Sequence, residues 1–126
     1  MHAERHAVAL TTDASGDVTA YSPNITGRIL GIRVVVPGSG GIEATSDFTI
    51  TAETTGEQIL TVANVNGSQS YYPRVPTHKA ADGAAELFAA GGTNVRDYIT
   101  LANDRVKIIV AQGGNAKTAT VYVIVG

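Results

Sequence analysis

The stretch Asp47-Phe-Thr-Ile-Thr-Ala-Glu53, followed by Thr54-Thr55-Gly56 and then by Glu57 to Val65, decides how this chain reads. Phe48, Ile50 and Ala52 alternate with Thr49, Thr51 and Glu53. That is the period of a strand with one face on a core and the other on solvent. The Thr-Thr-Gly step can reverse the chain, because glycine takes positive φ without steric cost. Asn66-Gly67 is the dipeptide favoured in two-residue hairpin turns. Gln69 to Tyr72 is therefore expected to pair back onto Leu60 to Val65 and complete a three-strand meander.

The same rhythm extends in both directions. His6, Val8 and Leu10 share one face of a first strand, with Arg5, Ala7 and Ala9 on the other. Asp13-Ala-Ser-Gly16 reads as a turn, and Asp17 to Tyr21 as a short strand ending before Pro23. Arg28 to Val36 is the most apolar run. Leu30, Ile32, Val34 and Val36 fall on one side and Ile29 and Val35 on the other, which predicts a central strand. Pro37-Gly-Ser-Gly-Gly41 stops it. Toward the C-terminus, Val95 to Leu101, Arg105 to Ala111 and Lys117 to Val125 read as strands, with turns at Asn103-Asp104 and Gln112-Gly-Gly-Asn115.

Pro73 to Thr93 breaks the pattern. Pro73 and Pro76 interrupt any ladder, and Asp82 can cap an Ala-rich turn over Gly83 to Ala90 before Gly91-Gly92. The segment is read as a long loop or a short helical turn, and as a contact loop, since long loops in small domains are often functional. With about eight or nine strands and no βαβ alternation, the expected fold is all-β. More finely, it is a single-domain antiparallel β-sandwich, jelly-roll-like, spanning 1–126, with 1–6 as an N-terminal arm.

Composition narrows the function. At 126 residues the chain fits one domain, and 44% hydrophobic residues supply a core. Only 16% of residues are charged, below the usual quarter or so, which favours a surface partly covered by other subunits. A net charge of −2, with no run of Lys or Arg, argues against nucleic acid as a partner. No apolar run approaches the roughly 18 residues of a membrane span, and Met1 to Leu10 lacks a signal-type apolar segment, so use without a signal of its own is expected. The absence of cysteine removes disulfides and thiolate metal sites.

The search for chemistry yields little. His2, His6 and His78 match no metal-ligand spacing, and Asp13, Ser15 and Asp17 lack the rest of a calcium loop. Ser39 lies in no nucleophile elbow, and the glycines around it precede no Gly-Lys-Ser/Thr phosphate cradle. Carboxylates such as Asp47, Glu53, Glu57, Asp97 and Asp104 are scattered singly. A non-enzyme with no catalytic residues, cofactor or metal is expected. Tyr71-Tyr72-Pro73-Arg74 is the one stretch with binding character, because aromatics and Arg dominate interface hot spots. Alternation sends its two rings to opposite sides. Arg5, His6, Tyr71, Tyr72, Arg74 and His78 are the candidate protein-interface residues.

Several strings resemble a family of small virion structural proteins of tailed bacteriophages. They are Tyr21-Ser-Pro-Asn-Ile-Thr-Gly-Arg28, Asp47-Phe-Thr-Ile-Thr51 with Thr55-Gly56, Tyr72-Pro-Arg74 with Thr77-His78, Ala89-Ala-Gly-Gly92, and Asp104-Arg-Val-Lys-Ile-Ile-Val-Ala-Gln-Gly-Gly114. The resemblance covers nearly the whole chain, but its strings are mostly turns and core strands. It implies a head decoration, or cement, protein on the capsid surface, made in the host cytoplasm. It also implies two partners: the chain itself, as a homotrimer, and the major capsid protein. The arm Met1 to His6 and the loop Pro73 to Thr93 are the expected contact elements. A tail- or baseplate-associated protein is one alternative. A carbohydrate-binding β-sandwich, with Tyr21, Tyr71, Tyr72, Tyr98 and Tyr122 as its aromatics, is the other.

Overall fold

In the computed structural model, which describes residues 2–126, the alternating segments become eleven strands, and no helix forms among the described residues. They are β1 (Glu4–Thr11), β2 (Val18–Tyr21), β3 (Ile25–Val35), β4 (Ser46–Ala52), β5 (Gln58–Val65), β6 (Gln69–Tyr71), β7 (Val75–Pro76), β8 (Arg96–Asp97), β9 (Ile99–Asp104), β10 (Val106–Ala111) and β11 (Thr118–Val125). Every strand pairing is antiparallel. One sheet runs β1-β11-β3-β6, with β9 also paired to β3. A second runs β2-β10-β4-β5, and β7 with β8 makes a small third. The β6 and β9 strands share one edge of β3, since Ile32 meets Tyr71 and Ile29 meets Ile99 while β11 holds the opposite edge.

The residues that alternate inward from the two large sheets form one core. Leu10, Ile32, Val34, Val121 and Val123 come from the first sheet, and Phe48, Ile50, Ile108 and Val110 from the second; none is more than 1% exposed. Burying a side chain of this size contributes about 1.5–3 kcal/mol. Two turns close over one end of this core. Gly113 N–H donates to Gly16 C=O at 2.8 Å, and a Cβ on Gly16 would stand 2.9 Å from Gly114 N, so neither turn admits a side chain there. Buried Thr12 joins them: its Oγ1 donates to Gly114 C=O and accepts from Lys117 N–H.

Four sequence expectations are corrected. The meander fails at its third strand, because β6 pairs with β3 in the other sheet and not with β5. A two-residue type I′ turn needs positive φ at both central residues. Gly67 has it (77°) but Asn66 does not, and Asn64, at 54°, bulges β5 just before its last paired residue, Val65. Ser68 Oγ then accepts Val36 N–H, anchoring the crossing to the first sheet. The side assignment in Arg28 to Val36 also shifts. A register slip in the β3–β11 ladder leaves Leu30 without a partner between Ile29 and Gly31, so Ile29 and Ile32 both reach the core.

Third, the Ala-rich segment is not helical. Thr77 N–H donates to Val95 C=O, Val95 N–H to Glu86 C=O, and Phe88 N–H to Thr93 C=O. Residues 75–97 thus form an extended double-backed ribbon with β7 and β8 at its base and Gly91-Gly92 at its tip. Fourth, the N-terminal stretch is strand from Glu4 onward, where Glu4 pairs with Val125 and His6 with Val123. Met1 lies outside the described residues.

Candidate functional site

The outward face of the first sheet concentrates the chain's free arginines. Ala7, Tyr122, Arg33 and Ser70 are cross-strand neighbours in one row over β1, β11, β3 and β6. In the next row Arg5 lies beside Ile124, which lies beside Gly31. Arg28, paired with Thr100 of β9, extends the face toward the base of the ribbon. No Asp or Glu occupies an outward strand position of this face, and no carboxylate lies within salt-bridge distance of Arg5, Arg28, Arg33 or Arg74 among the described residues.

Aromatic rings, not acids, hold these cations. The Arg74 guanidinium sits 4.0 Å from the centroid of the Tyr98 ring, and that of Arg28 sits 5.3 Å from the same ring. Arg5 lies 4.9 Å from Tyr122. Such contacts are worth about 0.5–1 kcal/mol each at exposed sites. They leave the charge uncancelled and the N–H groups open. Arg74 also donates to Pro73 C=O at 2.7 Å, and Arg33 Nε donates to Ser70 Oγ at 3.1 Å. Tyr72 is 66% exposed, with its ring lying over Gly31 of β3.

Of the sequence candidates, Arg5, Tyr72 and Arg74 fall on this face. Tyr71 turns the other way and packs against the core, where burial pushes its phenol pKa up. His6 lies on the inward side of β1, with Nε2 3.6 Å from a Glu4 carboxylate oxygen. His78 is exposed on the ribbon, bridged to Ala85. Sequence reasoning missed Arg28 and Arg33, and singled out Tyr98 and Tyr122 only as aromatics of a carbohydrate-binding alternative. Strand parity could have placed Arg33 and Tyr122 outward. Nothing local signals that Arg28, Arg74 and Tyr98 meet.

Where β9 passes into β10 of the second sheet, Arg105 makes a bidentate pair with Glu53 and stacks on Tyr21 at 4.2 Å. Beside it, Asp104 is 5% exposed and accepts N–H bonds from Thr54 and Arg105. Desolvation raises the Asp104 pKa, but those hydrogen bonds outweigh it and the net shift is downward. This cluster is fully paired internally and ties the β4–β5 turn to β10. No group of three or more His, Asp or Glu side chains suited to a metal ion comes together among the described residues.

No protein-family model matches the chain, and no curated protein matches it. Among solved structures, a crystal structure of FLHE aligns with 99% of this chain and 98% of its own, at a TM-score of 0.45 and 11% identity.

Proposed function

We propose that this chain is a non-enzymatic decoration protein of a tailed-phage head, and that it docks on shell subunits through the arginine–tyrosine face of its first sheet. The observation that carries the reading is four arginines on one face, stacked on tyrosines or held by neutral acceptors, with no carboxylate among them. Five Lys and Arg then stand against eleven Asp and Glu elsewhere, so a chain of net charge −2 is polarised into a basic face and an acidic remainder. Such a face suits an acidic protein surface, where Arg and Tyr supply both charge and contact area. The resemblance to small virion proteins supplies the shell as that surface, and the capsid exterior as the location.

The proposal includes the jelly-roll form. The nested pairings β1 with β11, β2 with β10, β3 with β6 and β4 with β5 are those of a long hairpin wrapped into two stacked sheets. A carbohydrate-binding reading is disfavoured by the tyrosines. Tyr98, Tyr122 and Tyr21 already carry guanidinium groups over their rings, and Tyr71 packs on the core. Only Tyr72 offers a bare ring to a sugar.

The test is pelleting with phage particles stripped of the protein. Wild-type chain is expected to sediment with them, and the Arg28→Glu/Arg74→Glu variant to stay in the supernatant while keeping its β-type circular dichroism. Equal sedimentation of both would overturn the assignment of the face. Binding to isolated tails instead of heads would overturn the assignment of the shell.

A further inference from the structure

Two further features stand out: an exposed phenylalanine, and an apolar depression on the first sheet in the row Ala9–Thr120–Val35, next to the row that holds Arg33. Phe88 is 75% exposed near the tip of the ribbon that springs from β7 and β8. It is the most exposed large apolar side chain among the described residues, ahead of Tyr72 at 66%. The depression, of about 260 Å³, opens on the first sheet and is lined by Ala9, Leu10, Thr11, Val35, Pro37 and residues 118–120 of β11. Benzene is held by a cavity of about 150 Å³, so a phenyl ring fits with room to spare.

We infer that the ribbon of one copy inserts Phe88 into this depression on a second copy of the chain, making a head-to-tail contact. Placement within the sheet excludes the same contact inside one molecule. The ribbon leaves the sheet beside Arg74 and Tyr98, next to Arg28, whereas the depression lies by Val35 at the far end of β3. Seven residues of strand separate Arg28 from Val35, about 23 Å at roughly 3.3 Å per residue.

Charge favours a second copy as the occupant. Between Thr77 and Val95 the ribbon carries Lys79 against Asp82 and Glu86, so it is acidic. Glu86 and Phe88 are two residues apart on an extended run, and their side chains leave on the same side. On the receiving copy, Val35 is shared between the apolar depression and a neighbouring polar one lined by Arg33, Ser68 and Ser70. With Phe88 seated against Val35, Glu86 meets Arg33, whose guanidinium donates through Nε to Ser70 and has no carboxylate partner among the described residues. Donor and acceptor lie at opposite ends of each subunit, so the contact is heterologous and closes into a ring when the rotation permits. Of the arginine–tyrosine face the contact uses Arg33 alone and leaves Arg5, Arg28 and Arg74 to whatever partner that face takes.

The absence of cysteine from the chain makes a direct test available. Phe88→Cys and Ala9→Cys chains are mixed under mild oxidation, and sedimentation equilibrium is run on wild type and Phe88→Ser. The expected results are a disulfide joining one chain of each kind, an oligomer for wild type, and a 13.0 kDa monomer for Phe88→Ser. Arg33→Glu is expected to dissociate the oligomer, and Arg33→Glu/Glu86→Arg to restore it. A monomeric wild type would overturn the inference, and so would an oligomer unchanged by Phe88→Ser with no mixed disulfide. In either case the pelleting behaviour of Arg28→Glu/Arg74→Glu is unaffected, so the two readings fail separately.

Discussion

Thr12 and Asp104 show how single polar residues hold this fold where apolar packing ends. Thr12 is 3% exposed and bonds through its hydroxyl to Gly114 and Lys117, joining two turns that contact each other through glycine backbones. Thr12→Val keeps the shape but leaves those groups without partners, and is expected to cost about 1–3 kcal/mol in urea denaturation. Gly16→Ala meets both a positive φ of 84° and backbone at 2.9 Å, so a loss of similar size, about 1–3 kcal/mol, is expected there too. Asp104 and Glu53 both titrate below their ordinary values. For Glu53 the cause is chiefly the Arg105 hydrogen bond; for Asp104, hydrogen bonds from Thr54 and Arg105 outweigh desolvation. A carboxylate with a depressed folded-state pKa contributes stability that is present above its unfolded value of about 4 and is lost as pH falls through the folded value. Melting temperature is therefore expected to fall as pH drops below about 4, and less steeply in Glu53→Gln/Asp104→Asn than in wild type. A parallel acid limb in the double variant would contradict the assignment.

Among the elements, the strands that sequence reveals are those whose alternation faces a single core. The β4, β10 and β11 strands lie within a residue or two of their expected limits, because Phe48, Ile50, Ile108, Val110, Val121 and Val123 mark their inward sides without interruption. Ile108→Ala on central β10 is expected to destabilise by about 2–5 kcal/mol, enough to unfold much of a marginal domain. What sequence did not reveal was non-local. Asn66-Gly67 carries a local hairpin signal, yet the partner of β6 is fixed by Ile32 and Arg33, more than thirty residues earlier. Arg28, Arg74 and Tyr98 meet because β3 and β9 pair and β7 and β8 close the ribbon, which no spacing along the chain encodes. The Ala-rich segment resembled a helical turn in composition, but backbone bonds to Thr77 and Thr93 hold it extended. The ribbon contributes few core residues, so replacing residues 79–93 with a short glycine turn is expected to leave cooperative unfolding intact, as differential scanning calorimetry would show.

Seen whole, the molecule separates a basic face, on the outward side of the first sheet, from a remainder in which acids outnumber bases. A modest net charge conceals this polarity, which is why composition alone argued only against nucleic acid. Ion pairing across such a docking surface is screened over about 8 Å at physiological salt, so attachment through it is expected to weaken as salt rises, chiefly through slower association. Self-association through Phe88 is mainly apolar and should respond less. The contrast between the two salt dependences separates the surfaces in one preparation.

Imaging of intact particles by electron cryomicroscopy tests the central claim most directly. The account predicts density for this chain on the outer shell, with Arg28, Arg74 and Tyr98 turned toward the capsid subunits. Density placing that face toward solvent, or locating the chain only on the tail, would contradict it.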